Sequence, residues 1–472
     1  MSYLQRIDEL RRAELFKRAA EFAALYDPGL PTIVILPGGM GSRLQRAFAP
    51  YDPNHTPPEV DLYELWASLL HILDGQLRFL AHNEATEEKD YYPIVPYGEL
   101  TSIVKSYDGI FERFEGKANV VSLGYDWRRA PIKECGYVTI FLELIVEQVK
   151  LRFPHADDPR KRLTLYAHSQ GGLVAKLFVN ELVDAGEEVS NWFERLVTCC
   201  TPFYGTSSHF SRYYIGEPLI NKVTGGADPV AKIVATFQGT YCLLPAPRSV
   251  LGPRMAKLGL QRYPVRDYDD PRIDCDPFDG DAEVAGRYRP EVSRAHLVFA
   301  RDQFAQLDRD LPPEVSARIF HIRSDDNYKK PDKLDLELRW KKVAGATYAA
   351  SQGNPIFTNW KKGGRGDGTV PLWSAALAGT PEDNVFDLLG VEHGGAAEHE
   401  CSLNILEGLM HGDDVPRGPH EAQADFVCAS KARAAQIVDE LRALPPSLAK
   451  ERFEALPEDE YRAVVNGWRL SA

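Results

Sequence analysis

Apolar residues along this chain follow two alternating rhythms. Short unbroken runs, many of them β-branched, occur in "TIVILPGGMGSRL" (32–44), "ANVVSLGYDW" (118–127), "RLTLYAH" (162–168), "FERLVTCCTPF" (193–203) and "SARIFHIRS" (316–324). Between them, "GYVTIFLELIVEQVKLRF" (136–153) and "GGLVAKLFVNELVDAG" (171–186) place apolar residues at helical spacing. A run with no polar alternation reads as a strand buried on both faces, which is the habit of parallel sheets, and the helical stretches read as crossovers. The pattern therefore predicts an α/β fold with a mostly parallel central sheet flanked by helices.

The alternation breaks after Phe203. Residues 205–313 are rich in Pro, Gly, Tyr and Asp with short mixed segments, and read as an inserted cap, or lid. The core, residues 1–204, resumes over 314–415, where "GDGTVPLWSA" (366–375) and "NVFDLLGVEH" (384–393) form strand-end loops and "ECSLNILEGLMHG" (400–412) a closing helix stopped by Gly412. Residues 416–472 read as a charged helical tail, and residues 1–27 as an amphipathic helix ended by Pro28-Gly29.

Bulk composition narrows the classes. The 472 residues are 44% hydrophobic, enough for a sizeable core, and 55 basic against 68 acidic side chains give a formal charge of −13. That balance argues against a nucleic-acid partner, which needs a basic stripe. Seven irregularly spaced cysteines form neither a CxxC metal pattern nor a disulfide framework. With charges interrupting the N-terminal helix and no long apolar run, the expected location is cytoplasmic.

Candidate chemistry centres on "LTLYAHSQGGLVAKLF" (163–178), where a strand hands over to a helix at Ser169. A serine hydroxyl needs a base, an acid to orient the base, and donors for the oxyanion. A sharp strand–turn–helix elbow lifts the hydroxyl above the sheet and requires small flanking residues, here Ala167 and Gly171. The oxyanion donors are expected to be the amides of Gln170 and of Met40 in "PGGMGS" (37–42), with Gly39 of the same loop expected to contact the substrate; the lysine-bearing phosphate signature is missing there. Asp367, between glycines, is the candidate acid. Three histidines compete for the base: His393 in an "HGG" loop is the first choice, His399 at the start of the closing helix the second, and His411 sits where a cation merely favours the helix dipole. His168 is expected to point away from the serine as a packing residue.

Taken together, these motifs resemble the lecithin:cholesterol acyltransferase and phospholipid:diacylglycerol acyltransferase group of α/β-hydrolases. "VILPGGMGSRL", Tyr125-Asp126-Trp127-Arg128 with the "YGELTSIVKSYDGIFERFE" stretch before it, "AHSQGG", "CCTPFYGTS", "TFQGTYCLLPAP" (236–247) and "GDGTVPLWS" carry the likeness over residues 32 to about 412. The resemblance implies an α/β-hydrolase fold and an acyl-enzyme mechanism on a lipid-like or hydrophobic ester. Ser169, Asp367 and His393 are the implied triad, and Asp126, Trp127, Phe203 and Tyr204 stand at positions implied near the acyl group. For Asp126 and Trp127, a core tryptophan with an aspartate–arginine ion pair is an equal alternative.

Secreted members of that group carry a disulfide-closed membrane loop after the oxyanion segment, whereas no cysteine stands here between Met1 and Glu134. Ester hydrolysis is the leading expectation, followed by acyl transfer to an alcohol and by a catalytically silent hydrolase-fold binding module. Neither metal nor cofactor nor obligate protein partner is expected, although peripheral membrane contact is compatible with a lipid substrate. The acidic stretch Asp274, Asp276, Asp279 and Asp281 lacks EF-hand spacing.

Overall fold

In the computed structural model the chain is described continuously over 3–47, 107–206, 232–267, 292–326 and 365–413, with shorter pieces elsewhere up to residue 456. The first strand, β1 (Thr32–Leu36), is buried along its whole length. After it, β2 (Ser42–Ala47), β3 (Leu62–Trp66) and β4 (Ile94–Glu99) make a separate antiparallel sheet in the order β3-β2-β4. The remaining strands are β5 (Asn119–Ser122), β6 (Leu163–His168), β7 (Arg195–Cys199), β8 (Val265–Asp267), β9 (Ile319–Asp325), β10 (Leu338–Trp340), β11 (Val385–Leu389) and β12 (His420–Glu421). Seven of them form the central sheet in the order β12-β11-β9-β7-β6-β1-β5, and every pairing in it is parallel. β8 and β10 pair on their own.

Helices cover both faces. The principal ones are α1 (Tyr3–Leu25), α2 (Asp108–Phe114), α3 (Gly136–Arg152), α4 (Gln170–Asp184), α5 (Arg294–Leu307) and α6 (Glu400–His411). Side-chain alternation divides the core accordingly. Val34, Leu36, Leu165 and Ala167 face the cluster built with Phe22 of α1, Phe141 of α3 and Phe178 of α4. Ile33, Ile35, Tyr166 and Val197 face the cluster containing Phe114 of α2 and Leu406 of α6. Because successive strand residues point to opposite faces, both faces of an all-parallel sheet must be apolar, and this is why the runs in the sequence lack polar alternation.

Strand order decides where a ligand can sit. From β1 the chain moves to β5 on one side, then crosses to β6 on the other and continues outward through β7, β9 and β11. The loops leaving β1 and β6 therefore diverge, which opens a crevice at the carboxyl ends of these two strands.

Two elements depart from the expectations. Residues 420–421 fall in the stretch read as a helical tail, yet pair in parallel with Leu388 and Leu389 at the sheet edge. Two polar residues carry no strand signal; their place is set by the partner strand. The antiparallel β2–β4 sheet is also unanticipated, since "SRLQRA" and "IVPYGE" mix charged and apolar side chains without clean alternation. Most of the Pro-rich stretch from 48 to 79, the "RYYIGEPLI" segment, Asp279, Asp281 and much of the tail lie outside the described residues.

Candidate active site

Ser169 joins β6 to α4 with φ 51° and ψ −126°, a conformation that L-residues avoid. Such a backbone costs on the order of 1–3 kcal/mol and persists only where its surroundings hold it. Here the Ser169 amide donates to the Cys199 carbonyl at 2.8 Å, and the Ser169 carbonyl accepts from the Gly172 amide at 3.0 Å. Gly171 permits the turn: a Cβ there would lie 2.4 Å from the carbonyl oxygens of both Leu36 and Pro37. His168 and Gln170 are buried while Ser169 between them is only half-buried, so the turn presents the hydroxyl outward.

The Ser169 Oγ lies 2.9 Å from Nε2 of His393, and Nδ1 of His393 lies 2.6 Å from Oδ2 of Asp367. Asp367 is almost wholly buried, and its other oxygen, Oδ1, accepts from the amides of Thr369 at 2.9 Å and Val370 at 2.6 Å. These bonds fix the carboxylate in one orientation. Each of the three side chains hangs from a loop past the carboxyl end of a different strand: β6, β9 and β11. An all-parallel sheet flanked by helices, a strained serine turn after β6, and an aspartate and a histidine on later loops together decide the architecture. This is an α/β-hydrolase fold.

The histidine competition resolves by distance. His399 lies at the N-terminus of α6, where its Nδ1 accepts from the Cys401 amide at 3.2 Å, and burial holds its pKa below the ordinary range so that this nitrogen stays unprotonated. His411 is exposed at the far end of α6, 4.0 Å from the Asp413 carboxylate. Neither appears beside Ser169.

Opposite the elbow, the loop after β1 turns tightly. The Gly41 amide donates to the Gly38 carbonyl at 2.9 Å, and Met40 takes φ 63°. Gly39 and Met40 remain partly open, and a Cβ on Gly39 would fall 2.7 Å from Oε1 of Gln170, so the two expected oxyanion residues sit on touching segments. As first residue of α4, Gln170 has an amide with no intrahelical acceptor.

Asp126 forms a buried bidentate pair with Arg128, with bonds of 2.6 and 2.9 Å, and also accepts from the Arg128 amide. Trp127 donates through Nε1 to the Ser42 carbonyl at 3.2 Å and meets the Phe237 ring edge-on. The Gly239 amide donates to the Arg128 carbonyl at 2.8 Å, so "TFQGTYCLLPAP" packs onto the Tyr-Asp-Trp-Arg stretch, while Gln170 Nε2 donates to the Trp127 carbonyl. Phe203 is buried with its ring edge against His321. The Tyr204 hydroxyl donates to Asp308 at 2.9 Å and accepts from the Ala378 amide at 3.0 Å. Asp126, Trp127, Phe203 and Tyr204 are all buried. In the acidic stretch, Asp276 accepts from the amides of Arg248 and Phe278, and Asp274 stands 3.5 Å from Arg248.

Sequence reasoning misses two features. His168 does more than pack: its Nδ1 lies 3.1 Å from the Tyr107 hydroxyl and its Nε2 3.2 Å from the His393 carbonyl oxygen. No local pattern announces Tyr107, which is 61 residues away. Cys200, at φ 51°, stands against the acid; Cys199, burial and Asp367 push its thiol pKa up, so it stays protonated. The donor atoms of Cys200, Asp367 and His393 lie within 4.8 Å of one another, a spacing a metal could bridge, but Asp367 and His393 already spend theirs on each other.

No family model matches the chain, and no curated protein matches it. Among solved structures, one titled as the Tle4–Tli4 complex is similar over 81% of this chain and 98% of that chain, at 16% identity and a TM-score of 0.49. The mature form of Bacillus licheniformis lipase BlEst2 is similar over 81% of this chain and 93% of that one, at 11% identity and a TM-score of 0.33.

Proposed function

We propose that the protein is a serine-dependent hydrolase of carboxylic esters, acting through an acyl-enzyme on a hydrophobic or lipid-like substrate. The observation that carries this reading is the unbroken line from Asp367 through His393 to Ser169, with bonds of 2.6 and 2.9 Å. A buried carboxylate bonded to Nδ1–H leaves Nε2 unprotonated and aimed at the hydroxyl, the tautomer that a general base requires.

In the reaction, Ser169 Oγ attacks the ester carbonyl carbon while its proton passes to His393 Nε2. Charge develops on the carbonyl oxygen, where the Met40 and Gln170 amides are the proposed donors. His393 then protonates the departing alcohol, leaving the acyl group on Ser169. Water, deprotonated by His393, attacks this ester; as the acyl–oxygen bond to Ser169 breaks, His393 returns the proton to Oγ and the carboxylic acid leaves. Asp367 keeps the imidazole oriented and stabilises its charged form throughout. An alcohol in place of water would give acyl transfer by the same steps.

The substrate class rests on the motif resemblance. The reading keeps residues 205–313 as a cap, with Gly39, Asp126, Trp127, Phe203 and Tyr204 on the substrate's acyl side. It keeps a cytoplasmic location with peripheral lipid contact; among the described residues no helix is long and apolar enough to cross a membrane.

Fluorophosphonate labelling tests the reading. The expected result is one label per chain, lost in Ser169→Ala. Equal labelling of both proteins rejects Ser169 as the nucleophile. Product analysis with and without an acceptor alcohol then separates hydrolysis from transfer.

A further inference from the structure

Behind the serine turn, four groups form one hydrogen-bonded chain. The Gly38 amide donates to the Tyr107 hydroxyl oxygen at 2.7 Å. That hydroxyl lies 3.1 Å from His168 Nδ1, and His168 Nε2 lies 3.2 Å from the backbone carbonyl of His393. Tyr107, His168 and His393 are all buried. Their rings stack in sequence, Tyr107 edge-on to His168 with centroids 6.0 Å apart, and His168 tilted against His393 at 5.0 Å.

The two end bonds have fixed directions, and for a neutral imidazole they set the middle one. A backbone amide can only donate, so the Tyr107 oxygen accepts at that end. A backbone carbonyl can only accept, so His168 must carry its proton on Nε2. A neutral imidazole protonated there has a bare Nδ1, and the Tyr107 hydroxyl donates into it. The chain thus reads Gly38 N–H to Tyr107, Tyr107 O–H to His168, His168 N–H to His393. The neutral Nε2–H form of His168 makes all three bonds with the Tyr107 hydroxyl as the middle donor; an imidazolium would reverse the middle bond.

Both ends of the chain matter to the reaction proposed above. Gly38 opens the tight turn that presents Gly39 and Met40, and a Cβ at Gly38 would lie 3.0 Å from Ser169 Cβ and 3.1 Å from His168 Nδ1. At the other end, the His393 amide donates to the Asp367 carbonyl at 3.0 Å, so His168 pins the remaining polar group of the His393 backbone. We infer that Tyr107 and His168 are positioning residues, forming a relay that ties the oxyanion turn to the backbone of the catalytic base so that both are held in one geometry. The inference rests on the ester-hydrolase reading for its catalytic meaning. Its hydrogen-bond polarity stands apart from that reading.

The test compares Tyr107→Phe, His168→Leu, their combination and His168→Gln on a soluble short-chain p-nitrophenyl ester. The Gln amide spaces an acceptor and a donor much as the imidazole nitrogens do, without titrating. By the scale of a disturbed oxyanion donor, Tyr107→Phe and His168→Leu should each lower kcat by about 10- to 100-fold with KM within about threefold. Since both break one chain, the double variant should fall no more than about threefold below the worse single, far short of the product of the two losses. His168→Gln should recover to within about fivefold of the wild type. A kcat for Tyr107→Phe within about twofold of wild type, multiplicative losses, or His168→Gln as impaired as His168→Leu would each overturn the relay.

A measurement on the wild-type protein covers the case of variants that do not fold. Long-range ¹H–¹⁵N correlation of ¹⁵N-histidine-labelled protein, with His168 assigned, should show the Nε2–H tautomer at neutral pH; the Nδ1–H tautomer or an imidazolium overturns the relay. An inactive wild type that still shows Nε2–H at His168 would reject the ester-hydrolase reading while supporting the relay's polarity, so the two failures are distinguishable.

Discussion

Asp367 holds His393 twice: its side chain lies 2.6 Å from Nδ1, and its backbone carbonyl accepts from the His393 amide at 3.0 Å. Ring and backbone of His393 are thereby referred to the same residue. Asp367→Asn spares the backbone bond and removes only the charge and the tautomer preference. Loss of a triad aspartate's charge costs on the order of 10⁴-fold in kcat where it has been isolated, so a fall of about 10³- to 10⁴-fold is expected here, with the thermal midpoint little changed. Steady-state kinetics beside a melting curve checks both halves; an activity within tenfold of wild type would deny Asp367 its role.

The first two candidates for the base separate by experiment. His393→Ala should abolish turnover to the level of Ser169→Ala, since members of one catalytic unit are lost together. His399→Ala removes only the acceptor for the Cys401 amide, a helix-cap change of about 1 kcal/mol, and should leave kcat within about threefold. Denaturant unfolding and ester turnover on the two variants, side by side, test the assignment.

Gly171 has no room for a methyl group. With both the Leu36 and Pro37 carbonyl oxygens 2.4 Å from the position of a Cβ, Gly171→Ala must push the elbow away from β1. Overpacking of this kind costs about 1–3 kcal/mol, and it also shifts Ser169 relative to the oxyanion turn. The expected outcome is a lowered unfolding midpoint together with a drop in kcat larger than the stability loss explains. Circular dichroism in urea and ester kinetics supply the two readings.

Lys176, one face of α4 away from the elbow, is buried and donates to Asn180 at 2.6 Å and to the Arg309 carbonyl at 3.2 Å. Burial, followed by the Arg309 charge, pulls its pKa down to about 7. The unfolded chain holds this proton up to the ordinary lysine range, so between pH 7 and about 10.4 the unfolded state binds more proton than the folded one. Stability must therefore rise with pH across that window, and the penalty is fully present below pH 7. Relative to Lys176→Met, the wild type should gain about 2 kcal/mol between pH 7 and pH 9. Taking the difference between the two proteins removes titrations elsewhere. A pH-independent difference in unfolding free energy would refute the shift.

The parts of this molecule made by neighbours in the chain are legible from its letters. β1, β6 and β7 appear as apolar runs because both faces of a parallel sheet are covered. The elbow is visible because strand, small residue, serine, glycines and helix follow one another within a few positions. Asp367 and His393 are legible through motif order, while their contact, across 26 residues, is a tertiary fact. Features built wholly from distant partners leave no mark. Tyr107 and His168 are one example. Another is the buried pair of Arg11 and Glu134, 123 residues apart, with the Arg11 guanidinium 3.4 Å over the Tyr137 ring. An amphipathic reading of α1 gives that arginine to solvent, since nothing nearby shows that a carboxylate waits inside.

Because the seven strands run one way, the three longest excursions between sheet strands, residues 37–118, 200–318 and 326–384, all depart from a single rim. The ladder's paired residues all lie within the strands, so none of its rungs is drawn from these excursions. A library that varies this rim would have to spare Tyr107, Phe114 and Phe304, which lie in the same excursions and belong to the buried core.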